Sequence, residues 1–483
     1  MAALGFDVMS NLPTTGDATT SDPASGPQPH APERQEAGKF TTGSTMRHVI
    51  IMTATGSVGL MAIFFVDLLN LFYISLLGQQ ELAAAIGYAG TILFFHTGVG
   101  IGVSIAVSAL CSRALGARDR AGARRLAGSG IAFTAIIMSI ISLLTIPMID
   151  PLLTLLGATG TTKSLAARYL MITLPSAPLL GIGMAFSSVL RAVGDARRAM
   201  WVTLLGAIAT AILDPIFIFG FGLALDGAAI VTVLARLTIA CVGYYGAVHV
   251  HDLVERPSVT DMIRDAAALG AIAIPAILTN IATPVANAYI TAELASFGDP
   301  AVAAWAVIGR IIPVAFGAVF ALSGSIGPIL GQNLGAKLYS RVMAAMKDAM
   351  VFCIIYVLVM WALLALGTDA LTAMFKLTGS AAELFRFYCL YASGMFLFMG
   401  LLFVANTAFN NLGYPLLSTL FNWGRATLGT IPFAWLGGRL AGAEGVLMGQ
   451  GVGGILFGTA AVITAFVVVK RMALKDQART TTA

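Results

Sequence analysis

Charge is scarce in this sequence: 11% of its 483 residues are Asp, Glu, Lys or Arg, against about 25% in a typical soluble domain. So few charged side chains cannot coat two or three water-soluble domains, which excludes an ordinary soluble enzyme. Cysteine is scarce as well. Cys111, Cys241, Cys353 and Cys389 each lie in an apolar run without paired or metal-ligand spacing, so they read as small core residues. No G-x-x-x-x-G-K-[ST] phosphate loop is present, which excludes ATP hydrolysis by that route, and no H-E-x-x-H or comparable ligand set is present either. No cofactor is expected. The net charge of +5 is small, and nucleic acid is not an expected partner.

What abounds is apolar: 58% of residues are hydrophobic and 52 are glycine, the composition of a multi-span membrane protein. Residues 1–45, rich in Pro, Ser, Thr and Gly, read as a disordered, uncleaved tail. Beyond it lie twelve apolar windows, each long enough to cross a hydrocarbon core of roughly 30 Å. They are 46–77, 84–112, 126–149, 165–190, 198–221 and 227–249, then 266–296, 302–332, 342–367, 383–411, 416–437 and 444–469. The loops between them leave no room for a soluble catalytic domain. With both termini cytoplasmic, 20 of the 28 Lys and Arg fall on the cytoplasmic side, five outside and three within spans, as the positive-inside rule requires. The expected location is the cell inner (plasma) membrane.

The halves resemble each other. Leu115-Gly116-Ala117 matches Leu334-Gly335-Ala336 and Gly194 matches Gly413, both at an offset of 219, while Gly78 with Ala83-Ala84 matches Gly298 with Ala303-Ala304 at 220. The expected fold is therefore an all-α polytopic membrane protein, twelve transmembrane helices in two pseudo-symmetric six-helix bundles. Its parts are bundles at 46–250 and 266–470, a cytoplasmic linker at 251–265 and a cytoplasmic tail at 471–483. Such repeats in transporters place the substrate between or within the bundles, with access alternating by rocking.

An ionisable side chain in mid-span costs roughly 2.5 to 3.5 kcal/mol on insertion scales, which makes it a functional candidate. Asp67 in span one and Asp214 in span five sit at similar depth in the first half, while the aligned positions of the second half are not acidic. Glu293 lies nearer an end of span seven. Span five aligns Thr203, Thr210 and Asp214 on one face with Pro215 next, and span one adds Asn70 beside Asp67. Asn280, Thr283 and Asn287, with Pro275 and Pro284, make span seven the most polar and most interrupted helix. Asp67, Asp214 and Thr210 are the expected proton or cation coupling residues. Asn70, Ser187, Thr203, Asn280, Thr283, Asn287, Tyr73 and His96 are the expected cavity residues. Three intramembrane arginines, Arg236, Arg310 and Arg425, are potential partners that would keep the acids ionised. Glycines 98, 102, 449, 453, 454 and 458 fit close helix packing.

These residues also carry a resemblance. Leu190-Arg191-Ala192-Val193-Gly194-Asp195, Ile212-Leu213-Asp214-Pro215 through Gly220, and Asp226-Gly227-Ala228-Ala229 resemble the fourth-to-sixth span signature of the multidrug and toxic compound extrusion (MATE) transporters. Residues 109–125 and 328–341 are similar to that family's paired loops, and Val66-Asp67 sits where its first span carries an acid, as in the branch with an acidic N-terminal bundle. The resemblance implies a twelve-helix secondary transporter exporting small organic, often cationic, compounds in exchange for protons or sodium ions; a monomer is the expected state. Thr210 stands where that branch often has Asn, so the coupling ion is expected to be H+ rather than Na+; Thr283 stands about where another branch has Glu. A lipid-linked precursor flippase of a related superfamily is the alternative, and it would call for a basic cavity.

Overall fold

The computed structural model describes residues 38–77 and 79–481; residues 1–37 of the expected tail lie outside the described residues. Ten helices among them are long and apolar enough to cross a membrane, and an eleventh span is the pair Asp299–Ala315 and Gly317–Gly335, bent by 48°. The longest, Pro415–Arg479, holds two spans, because the chain reverses at Ala441 and Gly442, where φ is 62° at the glycine. Twelve spans result.

The helices outrun the apolar windows, since hydropathy marks what lies in hydrocarbon while capping residues mark where a helix begins. Span three starts at Arg120 because Asp119 accepts from the Gly122 N–H at 2.7 Å, and span seven at Val259 because Ser258 accepts from the Asp261 N–H at 3.1 Å. The second half of the expected linker is thus helix. The expected C-terminal tail is helix as well, continuing span twelve to Thr481, with Asp476 3.3 Å from Lys337. Gly194 and Gly413, a repeat-related pair, end spans four and ten in the left-handed conformation, at φ 89° and 87°.

Close packing tracks small residues. A Cβ at Gly449 or Gly453 would lie about 2 Å from the carbonyl oxygen of Phe433 or Gly429, so spans eleven and twelve meet backbone to backbone. Gly102 and Gly458 are likewise packed, against Ile277 and Phe398. Gly98 and Gly454 are not: nothing lies within 4 Å of a Cβ at either.

At the end that carries the chain termini, the bundles are closed on each other. The two Leu-Gly-Ala repeats touch there: a Cβ at Gly116 would meet the Gln332 carbonyl, and one at Gly335 would meet the Arg113 carbonyl. Arg113 donates to Asn410 O at 2.8 Å, and its repeat mate Gln332 donates to Ala192 O at 2.7 Å. The leading halves of spans one and seven are exchanged, Val49 and Met52 packing into the second bundle's core and Leu269, Ile272 and Ala273 into the first's. Ser129 of span three donates to Asp265 of span seven at 2.9 Å, with Arg125 3.3 Å from the same carboxylate. At repeat-related positions, Thr45 of span one donates to Asp348 of span nine.

Residues 38–44, expected to be disordered, are ordered across this seam. Lys39–Thr41 form a 3-10 turn whose Phe40 is 1% exposed. The Phe40 N–H donates to Gln332 Oε1 at 2.8 Å, Asn333 and Arg341 donate to its carbonyl, and Lys39 Nζ reaches Gly194 O at 2.8 Å. Hydrophobic burial of one aromatic ring and satisfaction of the turn's backbone groups explain why so polar a stretch is fixed.

Towards the far end the bundles part. Phe94 and Phe95 of span two are exposed, a Cβ at Gly87, Gly90 or Gly98 would meet nothing within 4 Å, and a small cleft of about 60 Å³ opens where Phe94, Phe95 and Gly98 face Ile277, Asn280 and Pro284.

Candidate functional site

The acids of spans one and five converge. Asn70 Nδ2 donates to Asp214 Oδ2 at 2.9 Å, and Asp214 is wholly buried with its other oxygen, Oδ1, lacking any hydrogen-bond partner among the described residues. The backbone sets this up: Ala196–Pro215 is α-helical, and a π-helical turn, Ile216–Gly220, comes directly after the proline beside Asp214. A Cβ at Gly59 would lie 2.2 Å from Thr203 Oγ1, so spans one and five lie close enough for Asn70 to reach the carboxylate.

Asp67 lies three residues before Asn70, on an adjacent part of the helix, and is exposed. Gly56, eleven residues and about three turns earlier on the same face, packs against Ala321 and Ser325 of span eight. Thr210 is half-buried and donates to Gly206 O at 3.1 Å, one turn before Asp214.

The arginines do not pair with these acids. Among the described residues, no cation lies within ion-pair distance of Asp67 or Asp214. Arg236 Nη1 donates to Thr173 O at 2.7 Å and Ser176 Oγ at 2.9 Å, at the break Leu174–Ser176 in span four; Arg310 is exposed; Arg425 Nη2 donates to Thr283 Oγ1 at 3.1 Å.

The expected cavity residues divide. Asn280 lines the cleft, Asn287 is exposed about two turns further on the same face of span seven, and Tyr73 packs edge-on to Phe219 at 6.2 Å in the first bundle. Thr203 and Ser187 are packing residues, the hydroxyl of Thr203 donating to Met200 O at 2.9 Å and that of Ser187 accepting from Arg191 at 2.8 Å. His96 is also away from the cleft: it is 3% exposed, with Nδ1 3.1 Å from Ile92 O and Nε2 3.4 Å from Thr145 of span three. A lone apolar-span histidine has two ring nitrogens to satisfy, and packing between helices does so.

Hydropathy and motif patterns give no sign of the strap at Lys39–Thr41 or of its receptors Gln332 and Asn333. The offset of 219 held a signal for Gln332, since it maps onto Arg113.

The MatE family profile matches twice, at residues 55–216 and 275–436, one match per bundle. The chain belongs to the MATE family of transporters. Like the rest of that family, this MATE chain is a transporter and not an enzyme. It is 32% identical over 420 residues to an FAD transporter of Shewanella oneidensis, covering 86% of this chain and 93% of that protein. It is 26% identical over 290 residues to the multidrug export protein MepA of Staphylococcus aureus, covering 58% of this chain and 62% of that one. The Vibrio cholerae MATE transporter VcmN, in its bent form, superposes with a TM-score of 0.83 at 28% identity, over 89% of this chain and 98% of that one. The two-bundle MATE fold and its multi-pass membrane setting are those expected from the sequence.

Proposed function

We propose that this MATE transporter is an antiporter that exports small organic compounds across the inner membrane in exchange for protons, with both termini cytoplasmic. One observation carries the reading: Asp214 is buried with Oδ2 held by Asn70, Oδ1 unpartnered and no cation nearby. Burying an ionised carboxylate unpaired costs several kcal/mol, and a proton on Oδ1 removes that cost. Asp67, exposed one turn before Asn70 on span one, is the group through which a proton arriving from the far side reaches this pair. Thr210 supplies a hydroxyl where a sodium site would gain from an amide oxygen, which supports H+ over Na+.

Magnitudes suffice. A proton moving down about 100 mV and one pH unit supplies roughly 2.3 plus 1.4 kcal/mol, enough to sustain a several-hundred-fold gradient of a neutral solute. The relatives named for FAD and for multidrug export support an organic substrate with an aromatic part, and Phe94, Phe95 and Pro284 give the cleft the apolar wall such a part needs. Purified protein in liposomes loaded with a pH-sensitive dye tests the reading. Substrate addition should release protons under an imposed proton gradient and not under a sodium gradient, and Asp214→Asn and Asp67→Asn should insert normally but lose the response. Full proton-linked flux in both variants would sink the coupling role.

A further inference from the structure

The second bundle buries a cation that has no charged partner among the described residues. Arg425 begins the π-helical turn Arg425–Gly429 of span eleven and is 3% exposed. It lies ten residues from the start of its span at Pro415, and Thr283 lies twelve from the end of span seven at Ala295, so both sit about 15 to 18 Å inside the helices. That depth is near the membrane midplane, where an unpaired guanidinium is costly. Its one side-chain hydrogen bond goes to the neutral Thr283 hydroxyl; Nε is buried without a partner, Nη1 has none among the described residues, and no carboxylate lies within ion-pair distance. Of the other two intramembrane arginines, Arg310 is exposed and Arg236 spends Nη1 on a helix-break carbonyl and a hydroxyl. Arg113 and Arg191 also leave Nε unpaired, but they stand in the last turns of their helices at the termini end.

Position connects Arg425 to the cleft. Thr283 is three residues beyond Asn280 on span seven, and Asn280 lines the cleft with Phe94, Phe95 and Pro284. Thr283 and Arg425 are not part of the cleft's lining; a ligand seated against those rings would have to extend past Asn280, around span seven, to reach Thr283 and the guanidinium fork bonded to it. A fork with free donors suits a planar or tetrahedral oxyanion, which it binds through two N–H groups at once.

We propose that Arg425, with Thr283, receives an anionic group of the transported molecule, a carboxylate or a phosphate, so that the substrates are aromatic organic anions or zwitterions. This rests on the proposed export function and narrows it: the first bundle handles the proton and the second the substrate's negative charge. Cations without an acidic group would be poor substrates.

Two flavins that share one ring system test this, riboflavin 5′-phosphate and riboflavin, titrated at equilibrium against the purified full chain by flavin fluorescence anisotropy. No ion gradient is present, so a failure of proton coupling, read separately in liposomes, leaves the measurement untouched. Wild type should bind the phosphate ester about tenfold or more tightly than riboflavin. Arg425→Gln should bring the two affinities together by weakening the ester alone, with riboflavin binding unchanged as the check that the variant is folded. Arg425→Lys, which keeps the charge and loses the fork, should retain a reduced preference and carries the test if the glutamine variant does not fold. Nanodiscs of phosphatidylcholine with and without phosphatidylglycerol separate the sources of phosphate. Competition by phosphatidylglycerol in wild type but not in Arg425→Gln makes a lipid headgroup a rival occupant of the same anion site, and no competition assigns the site to the soluble ester. Equal binding of the two flavins by wild type, no binding of the ester, or an undiminished preference in Arg425→Gln or Arg425→Lys would overturn the proposal.

Discussion

The two bundles share a frame and differ in what they bury. In the first, Asp214 is buried with Asn70 against it and Asp67 is exposed a turn earlier, while the one deep arginine, Arg236, is absorbed by a broken helix. In the second, no acid faces the interior at the matching positions, and Arg425 is left with a single hydroxyl. The frame itself is kept closely: repeat-related glycines end spans four and ten, and Arg113 and Gln332 make the same cross-bundle bond from opposite sides. Shape was thus retained through duplication while interior charge diverged.

The comparison breaks most sharply in the paired variants Asp214→Asn and Arg425→Gln. The first should abolish proton-driven flux of every substrate, a fall of about tenfold or more for each 1.4 kcal/mol of coupling lost. The second should spare flux of an uncharged solute and reduce that of an anionic one. Liposome flux of both solutes in both variants reads the result, and equal losses across the four measurements would erase the division of labour.

Phe40→Ala comes next. Removing a buried phenyl ring typically costs about 3 to 5 kcal/mol, and here the ring belongs to a strap that joins Gln332 and Arg341 of one bundle to Gly194 of the other. The bundles should separate at the termini end. Spin labels at Arg118 and Lys337, repeat-related loop residues, should report a longer distance in the variant than in wild type. An unchanged distance with normal folding would make the strap ornamental.

Smaller still is the effect of the two hydroxyl–carboxylate contacts at the same end. They are repeat-related with the acid on opposite partners, Ser129 to Asp265 and Thr45 to Asp348, and only Asp265 also has an arginine, Arg125. Asp265→Asn should therefore open the seam more than Thr45→Val, by roughly 1 to 3 kcal/mol against about 1 kcal/mol. The same label pair checks the order.

Much of this architecture is legible in the sequence because membrane spans advertise themselves: hydrophobic runs fix the helices, and the offset of 219 fixes the repeat. Asp67 and Asp214 are legible for the same reason, since a carboxylate in such a run is conspicuous. What stays hidden is three-dimensional partnership. Thr203, Ser187 and His96 carry the same polar atoms as a cavity residue, and only the neighbouring helix decides that they are packed. Lys39 and Phe40 sit in a composition typical of a disordered tail, and one well-placed aromatic ring outweighs that composition. Where a helix ends is hidden too, because Asp119 and Ser258 act through local geometry and not through hydropathy.

The difference between the bundles extends to a helix end in the loops, where the smallest effect is expected. Asp195 caps span five, accepting from the Arg198 N–H at 3.0 Å, and it also meets the Arg198 guanidinium and His251 Nε2 at 2.5 and 2.8 Å. Its repeat mate Tyr414, ahead of span eleven, makes no side-chain cap. Partial burial works against the charged form of Asp195, but the Arg198 N–H and guanidinium and the His251 imidazole outweigh it and hold this carboxyl below the usual carboxylate range. A group with a lowered folded-state value contributes stability above its unfolded value, near pH 4, and loses it as pH falls through the folded one. Thermal unfolding of wild type in detergent should therefore show a slightly steeper loss of stability below about pH 4 than Asp195→Asn shows. Tyr414→Phe should track wild type across the same range, and a pH profile of Asp195→Asn that matches wild type would place the acid stability elsewhere in the first bundle.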